Sequence, residues 1–373
     1  MKILLFTTPH EDGLSDVLYN GLVKNGMEVI DYPRKPFYHC SNNNGEIRAC
    51  DDQGDEVVED NNGNITLPNG IKSHRKFVTV SKGYGSQSEN PFDEDYELVV
   101  VSSIQAQNKE LIDRIRTQKR VPFVFLDGRD DPFLLKEINE YEVYFKRELY
   151  ADSFSMIKKA LALKKLGFSY YRKLSTQTAV SIPHTFFNFF NPKLVKKNII
   201  SLNLSINAHN FKIHNGDKEY DFCFISSPNT PYRIKISKIL EKFASRYDLK
   251  VFLNLKKFEN DKDPRIPWLD FVDIIQKSKM AISLPGVGFD TFRYWEIPYY
   301  GTCLVSPYLP IEILNNFKDM QSAIFFSNIS HLEKKILNTL KDDSWENIAM
   351  EGHKKFNEYH SSEQRARRFI ENL

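Results

Sequence analysis

A chain of 373 residues is longer than one hydrophobic core ordinarily serves, so two domains of similar size are expected. Its 41% hydrophobic and 27% charged residues describe a soluble globular protein, and no apolar run approaches the roughly 18 residues of a membrane span. A net charge of +2 supplies no global field towards nucleic acid, and the four scattered cysteines (Cys40, Cys50, Cys223, Cys303) suit free thiols in a reducing, cytoplasmic compartment.

The opening run Met1–Phe6 is too short for a signal peptide and reads as a first strand, Lys2 to Phe6. A helix from about Leu14 to Asn25 follows, closed by Gly26, and then a second strand from Met27 to Asp31. This is a Rossmann-like opening without the Gly-x-Gly-x-x-Gly fingerprint, so a dinucleotide is not expected here. His10, Glu11 and Asp12 lie at the carboxyl end of the first strand, where open α/β sheets hold ligands and where ordinary loop polarity also places such residues. Residues 33–91 are rich in Asn, Gly and Asp and read as an insertion carrying a hairpin or two. His39, Cys40, Cys50 and His74 within it lack a recognised zinc spacing.

Regular structure resumes with a fully buried strand at Tyr96–Ser102, a helix at Asn108–Gln118 and a strand at Val121–Leu126. That strand runs directly into Asp127-Gly128-Arg129-Asp130-Asp131, a cluster of charge at a carboxyl edge. Another strand is expected at Tyr141–Phe145, followed by Lys146, Arg147 and Glu148. The Lys-rich helical stretch Ala151–Lys173 sets Lys158, Lys159, Lys164 and Lys165 opposite Phe154, Ile157, Leu161 and Leu163. Those lysines form a solvated face, and contact with a membrane surface would use the same residues. The segment 176–218 reads as an irregular crossing between domains.

A second domain is expected over 219–350, opening with a strand at Asp221–Ser226. Ser227-Pro228-Asn229-Thr230-Pro231-Tyr232-Arg233 then starts a helix that runs to Arg246, and small residues, Pro and Arg at a helix start describe an anion site. Next come a strand at Leu249–Leu253 and a helix at Pro267–Lys279 with Trp268, Phe271, Val272 and Ile275 on its apolar side. Asp261 and Asp263 have the spacing of a metal-binding Asp-x-Asp but no flanking strand. The remaining expectations are a strand at Ala323–Phe326, a helix at Ser330–Leu340, and a charged helix or pair from Ser344, with 351–373 returning to the first domain.

Within that domain, Met280–Leu284 reads as a strand, Gly286 and Gly288 as a loop, Asp290–Tyr299 as a helix and Thr302–Ser306 as a further strand. Asp290 or Thr291 is the expected cap, and unpaired N–H groups at the helix start suit a phosphate. Arg293 and Glu296, three apart, share one helical face: a guanidinium suits a diphosphate and a carboxylate a ribose diol. Phe289, Phe292, Trp295 and Tyr299 have core spacing.

Arg-x-x-Glu after a glycine loop, with Gly301 and Ser306 on the next strand, resembles the donor site of GT-B glycosyltransferases, notably the exostosin-like, spore-maturation-type and group 1 families. The resemblance implies two Rossmann-like domains facing across a cleft, with Arg293 and Arg233 on a donor diphosphate, Glu296 on the ribose and the Gly286–Gly288 loop over the phosphates. It departs at Gly288, where retaining group 1 enzymes carry a second Glu, and so leans towards inversion. The stretch 101–133 is similar in pattern to a phage DNA β-glucosyltransferase, which implies Asp127 as general base, with Asp130 and Asp131 as competitors and capping of a following helix as the non-catalytic alternative.

The resulting expectation is an α/β protein with an acceptor-binding domain over 1–175 and a donor domain over 219–350, transferring a sugar from a nucleotide sugar, foremost a UDP-sugar, without a cofactor or metal. A surface glycan is the first choice of acceptor and modified DNA the second, since near-neutral charge disfavours phosphate backbones. A nucleotide-sugar binder without catalysis is the reading from a different class. Peripheral contact with the inner face of a membrane completes the list of partners.

Overall fold

Ile3–Leu5 within Lys2–Phe6 (β1) and Leu98–Val101 within Leu98–Ser102 (β7) are aliphatic runs with almost no exposure, the pattern of strands covered on both faces of a parallel sheet. The computed structural model describes residues 1–8, 12–33, 49–51, 58–59, 65–66, 77–79, 90, 92–105, 108–131, 134, 140–149, 153–167, 198–206, 217–228, 230–255, 266 and 268–373. The chain forms two compact units. The first comprises Met1–Leu149, Phe186–His209 and Ser361–Leu373, the second Tyr150–Thr185 and Asn210–His360.

In the first unit β1 is followed by α1 (Gly13–Lys24) and β2 (Glu28–Tyr32). Gly26, at φ +79°, makes the reversal between them. The insertion holds β3 (Ala49–Asp51), β4 (Val58–Glu59), β5 (Ile65–Thr66) and β6 (Phe77–Thr79), paired antiparallel as β3 with β6 and β4 with β5. After β7 come a 3₁₀ turn (Ser103–Gln105), α2 (Lys109–Gln118), β8 (Phe123–Asp127) and β9 (Val143–Lys146). Asn198–Ser201 is β10, the sixth strand, pairing parallel with β9. This corrects the reading of 176–218 as irregular throughout: four residues in an Asn-rich surround carry too little periodicity to announce a strand. The sheet order is β10-β9-β8-β7-β1-β2. Leu4, Phe6, Val99, Val101, Phe125 and Tyr144 build its core against Ile112 and Ile115 of α2.

The helix α3 (Ser153–Leu166) groups with the second unit. There β11 (Tyr220–Ser226), α4 (Pro231–Tyr247), β12 (Val251–Leu255), α5 (Trp268–Gln276), β13 (Ser278–Ile282), α6 (Phe292–Tyr299), β14 (Cys303–Pro307) and β15 (Ile324–Phe326) alternate as βα units. All pairings are parallel, in the order β12-β11-β13-β14-β15. The expected helix over 267–279 stops at Gln276, because Ser278 to Ile282 pair with β11 and β14. Most other strand starts fall one or two residues later than periodicity places them, while β1 starts at Lys2 as expected and β11 one residue early at Tyr220, the usual uncertainty of element ends.

Three helices close the chain. α7 (Ile329–Lys341) is capped by the Asn328 side chain, and α8 (Trp345–Tyr359) packs on α6 and β14. α9 (Ser362–Glu371) leaves the second unit and lies along α1 in the first. Contact there is close: a Cβ on Gly21 would sit 2.0 Å from the Ser362 carbonyl oxygen. Among the described residues no helix is long and apolar enough to cross a membrane.

Candidate functional site

In the second sheet the chain steps from β11 outward to β12, then returns to the other side of β11 as β13. Loops leaving the carboxyl ends of β11 and β13 therefore meet at a topological switch point, where open α/β sheets bind ligands. The first loop ends in α4, capped by Thr230 Oγ1 accepting from Arg233 N at 3.4 Å, with Pro231 in the first turn. The second is Ser283–Thr291, closed by Gly286 N donating to Gly288 O at 2.9 Å.

Arg233 joins the two loops. Its Nε donates to Pro285 O at 3.0 Å, NH2 to Leu284 O at 2.9 Å, and NH1 to Ser227 O and Oγ at 3.4 and 3.3 Å. The guanidinium lies so close beneath the loop that a Cβ on Gly286 would be 2.9 Å from NH2. Burial, and then the nearby Arg293, lower its pKa to about 10. Sequence reasoning expected Arg233 to reach out to a ligand. These bonds tie it to the carbonyls of Ser227, Leu284 and Pro285 and to the Ser227 hydroxyl, and it fixes the loop's shape.

α6 starts after Thr291, whose Oγ1 lies 3.3 Å from Ser283 Oγ. Of the two expected caps, Thr291 holds the N-cap position, and Asp290 is buried and accepts from Trp295 Nε1 at 2.8 Å. Arg293 NH1 donates to Glu296 Oε2 at 3.0 Å, and its guanidinium stacks 3.8 Å above the Phe271 ring. Glu296 is buried, while the Arg293 side chain is 25% exposed. Trp295 is wholly buried, as its core spacing implies. Arg233, Arg293, Glu296, Gly286 and Gly288 thus belong to one sheet edge. Phe271 and Ser227, which orient the two arginines, were visible in the sequence only as an apolar helix position and a loop serine.

The second group of expected residues lies in the first unit. Asp127, the last residue of β8, is fully buried. Its Oδ1 accepts from Arg129 N and Nε at 3.1 and 3.0 Å, and its Oδ2 from Arg129 NH2 at 2.9 Å and from Tyr144 Oη. Lys146 Nζ, also fully buried, is 3.1 Å away, because β8 and β9 pair Asp127 with Lys146 in register. Burial pushes the Asp127 carboxyl up, but Lys146, Arg129 and Tyr144 outweigh it and hold the pKa below the ordinary aspartate value. A general base needs access and a lone pair for an incoming proton. Asp127, the base expected from the resemblance, has its carboxylate oxygens engaged by Arg129, Tyr144 and Lys146 and anchors a buried ion cluster. Asp130 differs, being 41% exposed and bound through Oδ1 to Arg147 NH1 at 2.7 Å. Asp131 lies between, 3.4 Å from Arg129 NH1 and 3.9 Å from Lys146.

Cys223 and Cys303 are free and buried, and burial raises the Cys223 thiol to about 11. His10, Glu11, His39, Cys40, His74, Asp261 and Asp263 lie outside the described residues.

Two parallel-sheet α/β units are the fold of GT-B glycosyltransferases. Residues 234–371, most of the second unit together with α9 and with Arg293 and Glu296 among them, match the model of the glycosyl transferase-like family. A mutant of S. aureus TarM, in complex with fondaparinux, α-GlcNAc-glycerol and UDP, is similar in structure at TM-score 0.51 and 9% identity, over 100% of this chain and 99% of TarM. A further TarM structure is similar at TM-score 0.50 and 10% identity, over 100% of this chain and 98% of the other. No curated protein matches the chain by sequence.

Proposed function

We propose that this chain transfers a sugar from a nucleoside-diphosphate sugar to the hydroxyl group of a glycan or glycoconjugate, with the donor held at the switch point of the second sheet. The observation that carries the reading is the pairing of Arg293 and Glu296 on α6 beside a loop shaped from below by Arg233. Arg293 contacts the diphosphate, and Glu296, aligned by that same guanidinium, accepts the ribose hydroxyls. Arg233 works as a positioning residue whose charge adds to the field at the phosphates. Gly286 and Gly288 keep side chains out of the space above the loop. UDP is the favoured nucleotide, and the presence of UDP and α-GlcNAc-glycerol in the TarM complex supports a UDP-sugar and a glycan-type acceptor.

Two arginines and a helix N-terminus can stabilise a leaving diphosphate electrostatically, which supports metal-independent transfer. Gly288, eight residues before Glu296, brings no carboxylate to the loop, which supports inversion. Inversion asks for a carboxylate base, and of the two aspartates following β8, Asp130 is the more exposed, at 41% against 28% for Asp131.

A thermal-shift screen of UDP, GDP, dTDP, CMP and their sugar conjugates tests the donor site. Stabilisation by one nucleotide, lost in Glu296→Ala, is the expected result; no shift with any of them overturns the reading. Transfer in excess EDTA and NMR assignment of the product's anomeric configuration test the two finer statements.

A further inference from the structure

The helices α3 and α4 of the second unit carry nine lysines and arginines and a single acid, Glu241, on a chain whose net charge is only +2. On α4 the side chains of Ile234, Lys235, Lys238 and Lys242 are all exposed, and at 100° per residue they fall within about one third of the helix circumference. On α3, Lys158, Leu161 and Lys165 follow i, i+3, i+7 spacing and are likewise exposed. The two stripes adjoin: a Cβ built on Gly167, directly after α3, would lie 3.5 Å from Lys235 Cδ. Among the described residues, none of Lys164, Lys165, Lys235, Lys238 and Lys242 forms an ion pair. Ordinary solvated faces mix signs more evenly; this one carries a single exposed acid, Glu241, seven residues after Ile234 on the same side of α4. Its apolar members are also large and uncovered, Leu161 at 53% and Ile234 at 38% exposure.

We infer that this face docks on an anionic lipid bilayer. Unpaired lysines supply attraction to acidic headgroups, and Leu161 and Ile234, set among them, enter the headgroup boundary. A nucleic-acid duplex is the other polyanion such charge could meet, and it fits less well. Recognition of phosphate and base edges favours the planar fork of arginine, whereas the exposed cations here are mostly lysines and the interleaved side chains are aliphatic. The face belongs to the helix whose first turn carries Arg233, so a docked molecule holds its donor site near the membrane surface. The inference does not depend on sugar transfer.

The test is co-sedimentation of the full chain with phosphatidylcholine vesicles, with and without phosphatidylglycerol. The expected result is binding only to the anionic vesicles. It weakens about 100-fold in Lys235→Glu/Lys238→Glu/Lys242→Glu and largely disappears at about 1 M salt, where the Debye length is near 3 Å. Leu161→Asn/Ile234→Asn lowers vesicle binding several-fold at unchanged charge. An unaltered thermal unfolding transition in each variant shows that the fold is intact. Equal binding to neutral and anionic vesicles, or undiminished binding by the triple variant, overturns the inference. So does tighter binding to duplex DNA that the Leu161/Ile234 variant leaves unchanged, which would make the face a polyanion site.

Discussion

Gly286 and Arg233 occupy nearly the same space: the NH2 nitrogen of the arginine lies 2.9 Å from where a Cβ on residue 286 would be. The guanidinium cannot readily retreat, since the carbonyls of Leu284 and Pro285 hold it from the same loop. Gly286→Ala is therefore expected to destabilise the second unit by about 1–3 kcal/mol, the range of overpacking a filled site. It should also weaken nucleotide binding, because the loop must shift to admit the methyl group. Differential scanning calorimetry with and without UDP reads both effects.

Arg233→Lys tests whether charge or shape matters. A lysine keeps the charge but cannot serve carbonyls of residues 227, 284 and 285 together, as the fork does. Carbonyls left without partners in a buried loop cost about 1–3 kcal/mol each way the loop relaxes, so the lysine variant is expected to unfold earlier and to bind UDP more weakly. Wild-type stability in that variant would show that Arg233 contributes charge alone.

Glu296→Ala removes the acceptor proposed for the ribose and frees Arg293 from its ion pair. Donor affinity is expected to fall by roughly 1–3 kcal/mol, the cost of a charge-assisted hydrogen bond in a closed site. Calorimetric titration should show a smaller loss for a 2′,3′-dideoxyribose analogue than for the natural nucleotide. Equal losses for both would mean that Glu296 acts only by orienting Arg293.

Asp127 and Asp130 separate fold from chemistry. Asp127→Asn leaves the wholly buried Lys146 beside a neutral amide, and breaking such a cluster costs about 3–5 kcal/mol. Turnover per folded molecule should change little. Asp130→Asn should do the reverse, with normal unfolding, normal UDP binding and strongly reduced turnover. Retained turnover in Asp130→Asn removes it from the mechanism.

The same cluster sets an acid limit. Burial alone would raise the Asp127 pKa, but its three partners depress it below the ordinary value of about 3.9. For a carboxylate depressed on folding, the stabilisation is complete above the unfolded value and is lost as pH falls through the folded one. Unfolding free energy is thus expected to be flat in this contribution near neutrality and to drop below about pH 4. The drop should be shallower in Asp127→Asn, as urea titrations across pH would reveal.

Much of the second unit could be read from residue order alone. Apolar runs such as Met280–Ile282 and Cys303–Val305, separated by glycine loops and helical spacing, fix a parallel sheet and its ligand-binding edge. The partnership of Asp127 could not be read so. Tyr144 and Lys146 lie 17 and 19 residues further on, and only the β8–β9 register brings them to the carboxylate. The direction of Arg233 was equally hidden, since an arginine at a helix start can turn outward to a phosphate or inward to a loop. Gly286 looked like a concession to a ligand, and its nearest pressure comes from that arginine. β10 escaped notice because a four-residue edge strand has little pattern to show.

The helix α9 bears on how the protein comes into being. It follows the whole second unit in the chain yet completes the first, with Asn25 Nδ2 donating to Glu363 O across 338 residues and Ser362 Oγ to Asn20 Oδ1 at 2.9 Å. During synthesis the second unit can finish folding while α1 still shows the ribosome an uncovered flank at Gly21. The first unit is thus started earliest and sealed last, and a nascent chain halted after α8 would carry one finished unit and one that chaperones could still recognise as open.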